Sequence, residues 1–422
     1  MIKTILLLLL IVFLIASFAF VIKSKRLKKR VLKKLEKANT SPSEKWTTAL
    51  LNKKRNRTDE LADKTVTKIM ARKNRGHTNQ LFDHIVKDSD RLPDEAPPEL
   101  KEYFAKTQVL PDWADKDLIA YGQQIYIRHG IWISLLLSYK SLPECYACAK
   151  GAEVLHKTAR LNEHQGSLET YSRRIAETAQ FVMFAMSPGG LSPKKRGLMA
   201  TQKVRLIHGV VRYFLWQQNW DEKTYDKPIN QEDMAGTLMS FSALILEGLE
   251  QLDIKLEPAE KEAYFHCWRV IGHIIGLDDD LIPDNAADGI KLGYSILNHQ
   301  IAKSPQGSSL MVALLEFQKQ KSKGFMSAKS NVAMMRLMMG EKVSDLLDVP
   351  EVEQKYIDKL GKRIKRIARV MEFLDHSLVF AMLLQFFTKI SSQMMLNKMT
   401  KSNVVNFYIP KSLLTDWLNP KK

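Results

Sequence analysis

Cysteine is almost missing from this chain of 422 residues, which has only Cys145, Cys148 and Cys267. That excludes a disulfide scaffold, and the single Cys-x-x-Cys has no second pair with which to close a zinc site. The thiols are expected to be buried or partly buried, a usage that fits a reducing compartment. Glycine and proline are sparse, at 19 and 15 residues, and alternating runs of Val, Ile and Thr are few. Long segments rich in Leu, Ala, Met, Lys, Glu and Gln stand in their place, so the composition predicts a mostly helical protein. A Gly-x-Ser-x-Gly elbow and a glycine-rich phosphate loop are both absent, which removes Ser-His-Asp catalysis and phosphate cradling from consideration. Neither a fixed-period repeat nor a low-complexity tract is present. What the chain does have is 45% hydrophobic residues, enough for a large core, and a length that permits two or three domains.

Charge is unbalanced toward the basic side, with a formal net charge of +18. The densest basic run, from Lys23 to Lys37, holds nine cations and follows directly on Ile5 to Ile22, an apolar stretch interrupted only by Ser17. At ~1.5 Å per residue that stretch nearly spans a hydrocarbon core of ~30 Å. The positive-inside rule keeps a basic flank cytoplasmic. The sequence therefore predicts a single-pass, uncleaved membrane anchor over residues 1–22 and a catalytic domain in the cytoplasm. Membrane lipid is expected as a partner of the polybasic stretch, at ~1 kcal/mol per cation. Nucleic acid is not expected as a partner, because no recognisable nucleic-acid module follows the basic run.

Residues 23–109 read as a basic juxtamembrane segment and polar connector, broken at Ser41-Pro42-Ser43 and around Pro93 to Pro98. Residues 110–350 read as a helical domain, and 351–422 as a C-terminal helical segment packed on it, with Phe373 to Met395 as a buried helix. Asp115 to Ser141 is expected to hold one or two helices, the apolar part too short to cross a bilayer. Pro143 suits a first helical turn. Ser167 is placed as a helix cap, and Ser187-Pro188-Gly189-Gly190 as the end of that helix. Ser192-Pro193 is expected to open the next helix with a cap and an N1 proline. Asn230 with Asp233 resembles a capping arrangement before a helix over Met234 to Leu252, and Pro258 begins the helix that carries His266 and His273.

Chemistry concentrates on two of these helices. Arg174 and Thr178 stand four apart and share one helix face. His208 lies in an apolar stripe with Val204, Ile207, Val211 and Leu215, the spacing of a face turned toward a core. A histidine in such a stripe is either a core residue satisfied by a neighbour or a metal ligand. His266 and His273, seven residues apart, are expected to be core histidines. Glu153-Val154-Leu155-His156 is a Glu-x-x-His pair of the kind that four-helix carboxylate proteins use in duplicate to hold two irons. The chain has no second pair, so a di-iron carboxylate oxidase is an alternative reading.

Leu142-Pro-Glu-Cys-Tyr146, Arg173 to Phe181, Pro188-Gly-Gly190, Lys203 to His208 and Pro228 to Asp233 together resemble the haem oxygenases of the latex-clearing-protein and MpaB-like family. The resemblance runs from about Leu110 to about Ala313. It implies an all-α, multi-helical, globin-reminiscent domain that holds haem b and uses dioxygen to cut carbon-carbon double bonds in an apolar, polyprenoid-type substrate. By motif position it implies His208 as the iron ligand and Arg174 and Thr178 as pocket residues. It makes Arg205 and Arg212 candidates for the haem propionates, and Glu153 a candidate base. The chain departs from the pattern at Glu177, an acid where some relatives place a lysine that can approach the iron. A haem-binding protein without a substrate is the other reading of the same pocket.

Overall fold

The computed structural model describes residues 22–36, 45–71, 96–160, 168–322 and 326–375. Among them every regular element is helical, and the single β-type contact is an isolated antiparallel bridge between Cys148 and Ile301. The all-α class is therefore observed.

The helix Lys116–Leu136 packs lengthwise along Pro258–Ile275 and forms the centre of the molecule. Asp115 starts the first of these, its carboxylate accepting from the N–H groups of Asp117 and Leu118, which satisfies donors that a helix start otherwise leaves open. The second has Pro258 in its first turn and a reciprocal capping box between Glu257 and Glu260. Lys116–Leu136 does not stop where its apolar run ends. It passes through a π-helical turn, Leu137–Ser141, into Leu142–Ala147, with Pro143 in the first turn as expected. The π turn turns Lys140 inward. The ammonium is buried, 2.9 Å from Glu144 and 3.5 Å from Glu247.

Two helix boundaries differ from expectation. Asn230 caps its helix through the Asp233 N–H, but the segment beyond is two helices, Gln231–Phe241 and Ala243–Gln251. The break is at Ser242, whose hydroxyl donates to the Leu238 carbonyl at 2.7 Å and whose backbone is non-helical. Ser192 and Pro193 lie in turns. The helix they were expected to open begins at Arg196, after Lys194 has taken a left-handed φ of 62°. Ser167 and Phe373 to Met395 beyond residue 375 lie outside the described residues.

The N-terminal third is more than a connector. Thr48–Arg55, Glu60–Met70 and Pro98–Thr107 are helices that bury Leu51, Val66, Ile69, Leu100 and Tyr103.

The expectation of a single-pass membrane protein with lipid as partner is corrected. Among the described residues no helix is long and apolar enough to cross a membrane, and the run Ile5 to Ile22 lies, but for Ile22, outside them. The basic segment behind it has a partner in the protein itself. Residues 22–35 are helical and bury Leu27 and Val31 in the main core. Lys28 pairs with Glu257 at 2.7 Å, Arg30 with Asp117 at 3.0 Å, and Lys34 with both Asp115 and Asp117. These three cations meet carboxylates at the starts of the two central helices, where negative side chains gather because of the helix dipole.

Candidate active site

Arg196–Gln217, the helix of His208, is wedged between two neighbours. One face meets Glu60–Met70. Gly209 sits against Ala62 closely enough that a Cβ there would lie 3.2 Å from its backbone, and the neighbour would have to give way by a few tenths of an ångström. On either side of this contact an arginine reaches across. Arg205 donates to both carboxylate oxygens of Asp59, at 2.6 and 2.8 Å, and Arg212 donates to Asp63 at 2.6 Å. Both also reach a backbone carbonyl, Ile274 for Arg205 and Ile229 for Arg212. Arg212 is fully buried. Each guanidinium is thus engaged by a carboxylate of the neighbouring segment, while Arg212 Nη2 is buried with no partner.

The next face of the same helix carries the apolar stripe. Val211 and Leu215 pack with Val154 and Trp220, flanked by Ile207, Trp216 and Ile229. That contact brings in the helix Ala149–Arg160. His208 retains some accessible surface, but none of it is at Nδ1, which is buried without a hydrogen-bond partner. Burial, reinforced by Arg212 and opposed by Asp59, holds the imidazole pKa down at about 4. The ring is neutral at physiological pH, the form in which an imidazole offers a lone pair.

The helix Leu168–Met186 completes the group. It packs against Arg196–Gln217, and Gly197 admits the close approach, since a side chain there would strike the Phe184 carbonyl. Arg174 donates through Nη1 to the Leu155 carbonyl at 3.2 Å, which ties this helix to Ala149–Arg160. The Thr178 hydroxyl donates to the Arg174 carbonyl one turn earlier, at 3.0 Å. Glu177 Oε1 is buried without a partner. Burial raises that carboxyl to about 8 against the pull of Arg174 and Arg173. On Ala149–Arg160, Glu153 is also buried; its Oε1 lies 3.8 Å from Lys157, and its Oε2 has no partner.

Three adjoining helices therefore carry four buried polar atoms with no partner among the described residues: Glu153 Oε2, Glu177 Oε1, His208 Nδ1 and Arg212 Nη2. The large majority of buried side-chain polar atoms in native proteins have a partner. Four of the ten such atoms among the described residues lie on these three helices. Asp59 and Asp63, which fix the orientation of the His208 helix, carry no signal in the sequence that connects them to it.

Other predicted candidates lie apart. His266 is a core histidine whose Nε2 accepts the Asp115 N–H at 2.9 Å. His273 is half-exposed beside Asp279 at 3.8 Å. Among the described residues no group of three or more His, Cys, Asp or Glu side chains is placed to hold a metal ion, so the Glu153/His156 pair gains no complement for a di-iron centre. Cys145, Cys148 and Cys267 are free and partly or fully buried, as expected.

Residues 147–372 match the family described as ER-bound oxygenase mpaB/B'/Rubber oxygenase, catalytic domain. The chain is similar to the rubber oxygenase of Streptomyces sp. (strain K30), at 24% identity over 318 residues that make up 72% of either sequence. Its fold is similar to the solved structure of latex clearing protein LCP in the closed state, with a TM-score of 0.63 at 21% identity, over 82% of this chain and 91% of that one.

Proposed function

Since this chain belongs to the mpaB/B'/rubber oxygenase catalytic-domain family, we propose that it is a haem b-dependent oxygenase that uses dioxygen to cleave a double bond in an apolar, isoprenoid-type substrate. The observation that carries the reading is the presence of unpartnered buried polar atoms of Glu153, Glu177, His208 and Arg212 on three adjoining helices. The residues fit the cofactor. His208 supplies a neutral imidazole bordered by Ile207 and Val211, and an unligated histidine in such surroundings lacks the partner that a buried polar group requires. No Cys-x-x-Cys-His is present for covalent attachment. When bound, haem activates dioxygen for attack on the alkene.

The chain's own residues do the rest. Asp59 and Asp63, through Arg205 and Arg212, fix the helix and hence the imidazole; we assign the two arginines to this positioning. Arg174, anchored on the Leu155 carbonyl by one nitrogen, keeps further donors for negative charge that develops on a reacting oxygen. Thr178 orders the same face. Glu153 Oε2 is an acceptor for a proton or a hydrogen bond. Val154, Ile207, Val211, Leu215 and Trp220 keep water from the apolar side.

The test is incubation of the haem-loaded protein with polyprenoid compounds under labelled dioxygen. Carbonyl fragments that carry the label are expected. Unlabelled products refute the oxygenase reading, and absence of turnover across a broad apolar panel by a haem-replete protein leaves a non-enzymatic haem carrier.

A further inference from the structure

Glu177 is nine-tenths buried, one turn beyond Arg174 and adjacent to Thr178. The base best placed to neutralise it on its own helix is Arg174, three residues earlier. Arg174 is instead turned to the Leu155 carbonyl, and Glu177 Oε1 is left without a partner. An ionised carboxylate in that position would cost several kcal/mol, so the group is held in its neutral form. Only Arg174 and Arg173 oppose the effect of burial. Glu153 and Lys157, His129 and His208 are among the ionisable groups on the neighbouring helices Ala149–Arg160, Lys116–Leu136 and Arg196–Gln217. A neutral carboxyl carries a proton, and so adds a hydrogen-bond donor that a carboxylate lacks. A buried donor is costly when nothing accepts from it.

We propose that Glu177 is a proton-holding residue of this site, whose neutral carboxyl donates a hydrogen bond to the small oxygen ligand or anion that enters the pocket and whose ionisation in alkaline solution repels anions from it. The proposal rests on the haem-pocket reading above, and its test separates the two.

Infrared spectra of the protein as purified read the carboxyl without reference to haem. A protonated-carboxyl C=O band is expected at pH 7. It should fade toward pH 10 with a midpoint near 8, and be missing from Glu177→Gln. No Glu177-dependent band at pH 7 overturns the proposal whatever the fate of the haem reading. Fluoride, an anion that accepts hydrogen bonds, then probes the ferric haem-loaded protein. At pH 6.5 wild type and Glu177→Gln, both donors, are expected to bind it alike, and Glu177→Leu more weakly. At pH 9 wild type is expected to fall about tenfold behind Glu177→Gln, one unit above the midpoint. A wild-type to Gln ratio that does not change with pH, or equal affinity in wild type and Leu at pH 6.5, overturns donation to the ligand. A Glu177-dependent band in a protein that takes up no haem overturns the oxygenase reading and the ligand half of this proposal, and leaves the neutral carboxyl standing.

Discussion

His208 and Arg212 are one helical turn apart, yet their side chains meet opposite surroundings. The imidazole has no carboxylate in contact and is held neutral. The Arg212 guanidinium is paired with Asp63 at 2.6 Å. A buried charge that loses its partner costs more than the pair contributed, so Asp63→Ala, which strands Arg212, is expected to destabilise the protein by roughly 3–5 kcal/mol. Denaturant unfolding measures this, and a loss under about 1 kcal/mol would show that Arg212 is solvated. His208→Ala removes no such pair. It should leave the helical circular dichroism intact and abolish the Soret absorption of the haem-loaded protein; an unchanged haem spectrum in the variant rules out His208 as the ligand. For Arg174→Ala the expected loss is roughly 2–4 kcal/mol in barrier lowering, the range seen when one preorganised donor is removed, with haem content largely kept. Equal turnover in the variant and wild type refutes that role. The apolar stripe around His208 was legible in sequence because helical periodicity is local. The ion pairs that orient it were not, since Asp59 and Arg205 are separated by 146 residues and Asp63 and Arg212 by 149, and nothing local couples positions so far apart.

Helix starts with a side-chain cap or a first-turn proline were readable: Pro143, Asn230 and Pro258 do what the sequence predicts. Ser192-Pro193 failed because the chain reverses through a left-handed Lys194 before the helix begins. The helix over residues 22–35 is the larger lesson. Its cations read as a lipid-facing flank because charge alone does not say which surface it faces, and the deciding carboxylates, Asp115, Asp117 and Glu257, are 81 to 229 residues away. The ion pairs are exposed, and exposed pairs are worth about 0–1 kcal/mol each. The apolar residues beneath them hold the helix down. Val31 is wholly buried and Leu27 nearly so. Val31→Asp is therefore expected to undock the helix, seen as loss of amide hydrogen-exchange protection over residues 22–35, whereas Lys34→Gln should leave protection nearly unchanged. The reverse ranking would mean that charge holds the helix after all.

Across the whole molecule, burial of titratable groups makes stability depend on pH in two opposed ways. His129 and His266 are both neutral acceptors in the fold. Arg128 Nε donates to His129 Nε2 at 2.9 Å, and the Asp115 N–H donates to His266 Nε2 at 2.9 Å. Desolvation, aided by Arg128 and Arg269 respectively, depresses them to about 3 and about 4. In the unfolded chain each takes up a proton near the ordinary histidine value of about 6.5. Below that point the unfolded state binds more protons, so the stability present above pH 6.5 is lost as pH falls toward 4 and then 3. Glu177 acts with the other sign. Its folded value of about 8 lies above the ordinary carboxyl value of 4.5, so the folded state binds the extra proton, and stability is lost as pH rises between those limits. Thermal unfolding of the haem-free protein should accordingly fall away on the acid side of pH 6.5. In His266→Gln, whose amide oxygen still accepts the Asp115 N–H but does not titrate, the acid slope is expected to be shallower by the share of one proton, roughly a tenfold change in the folding equilibrium per pH unit. Glu177→Gln should flatten the fall between pH 5 and 8 and leave the acid limb untouched. If both variants follow the wild-type curve across pH 4 to 8, both side chains are solvated in the folded state.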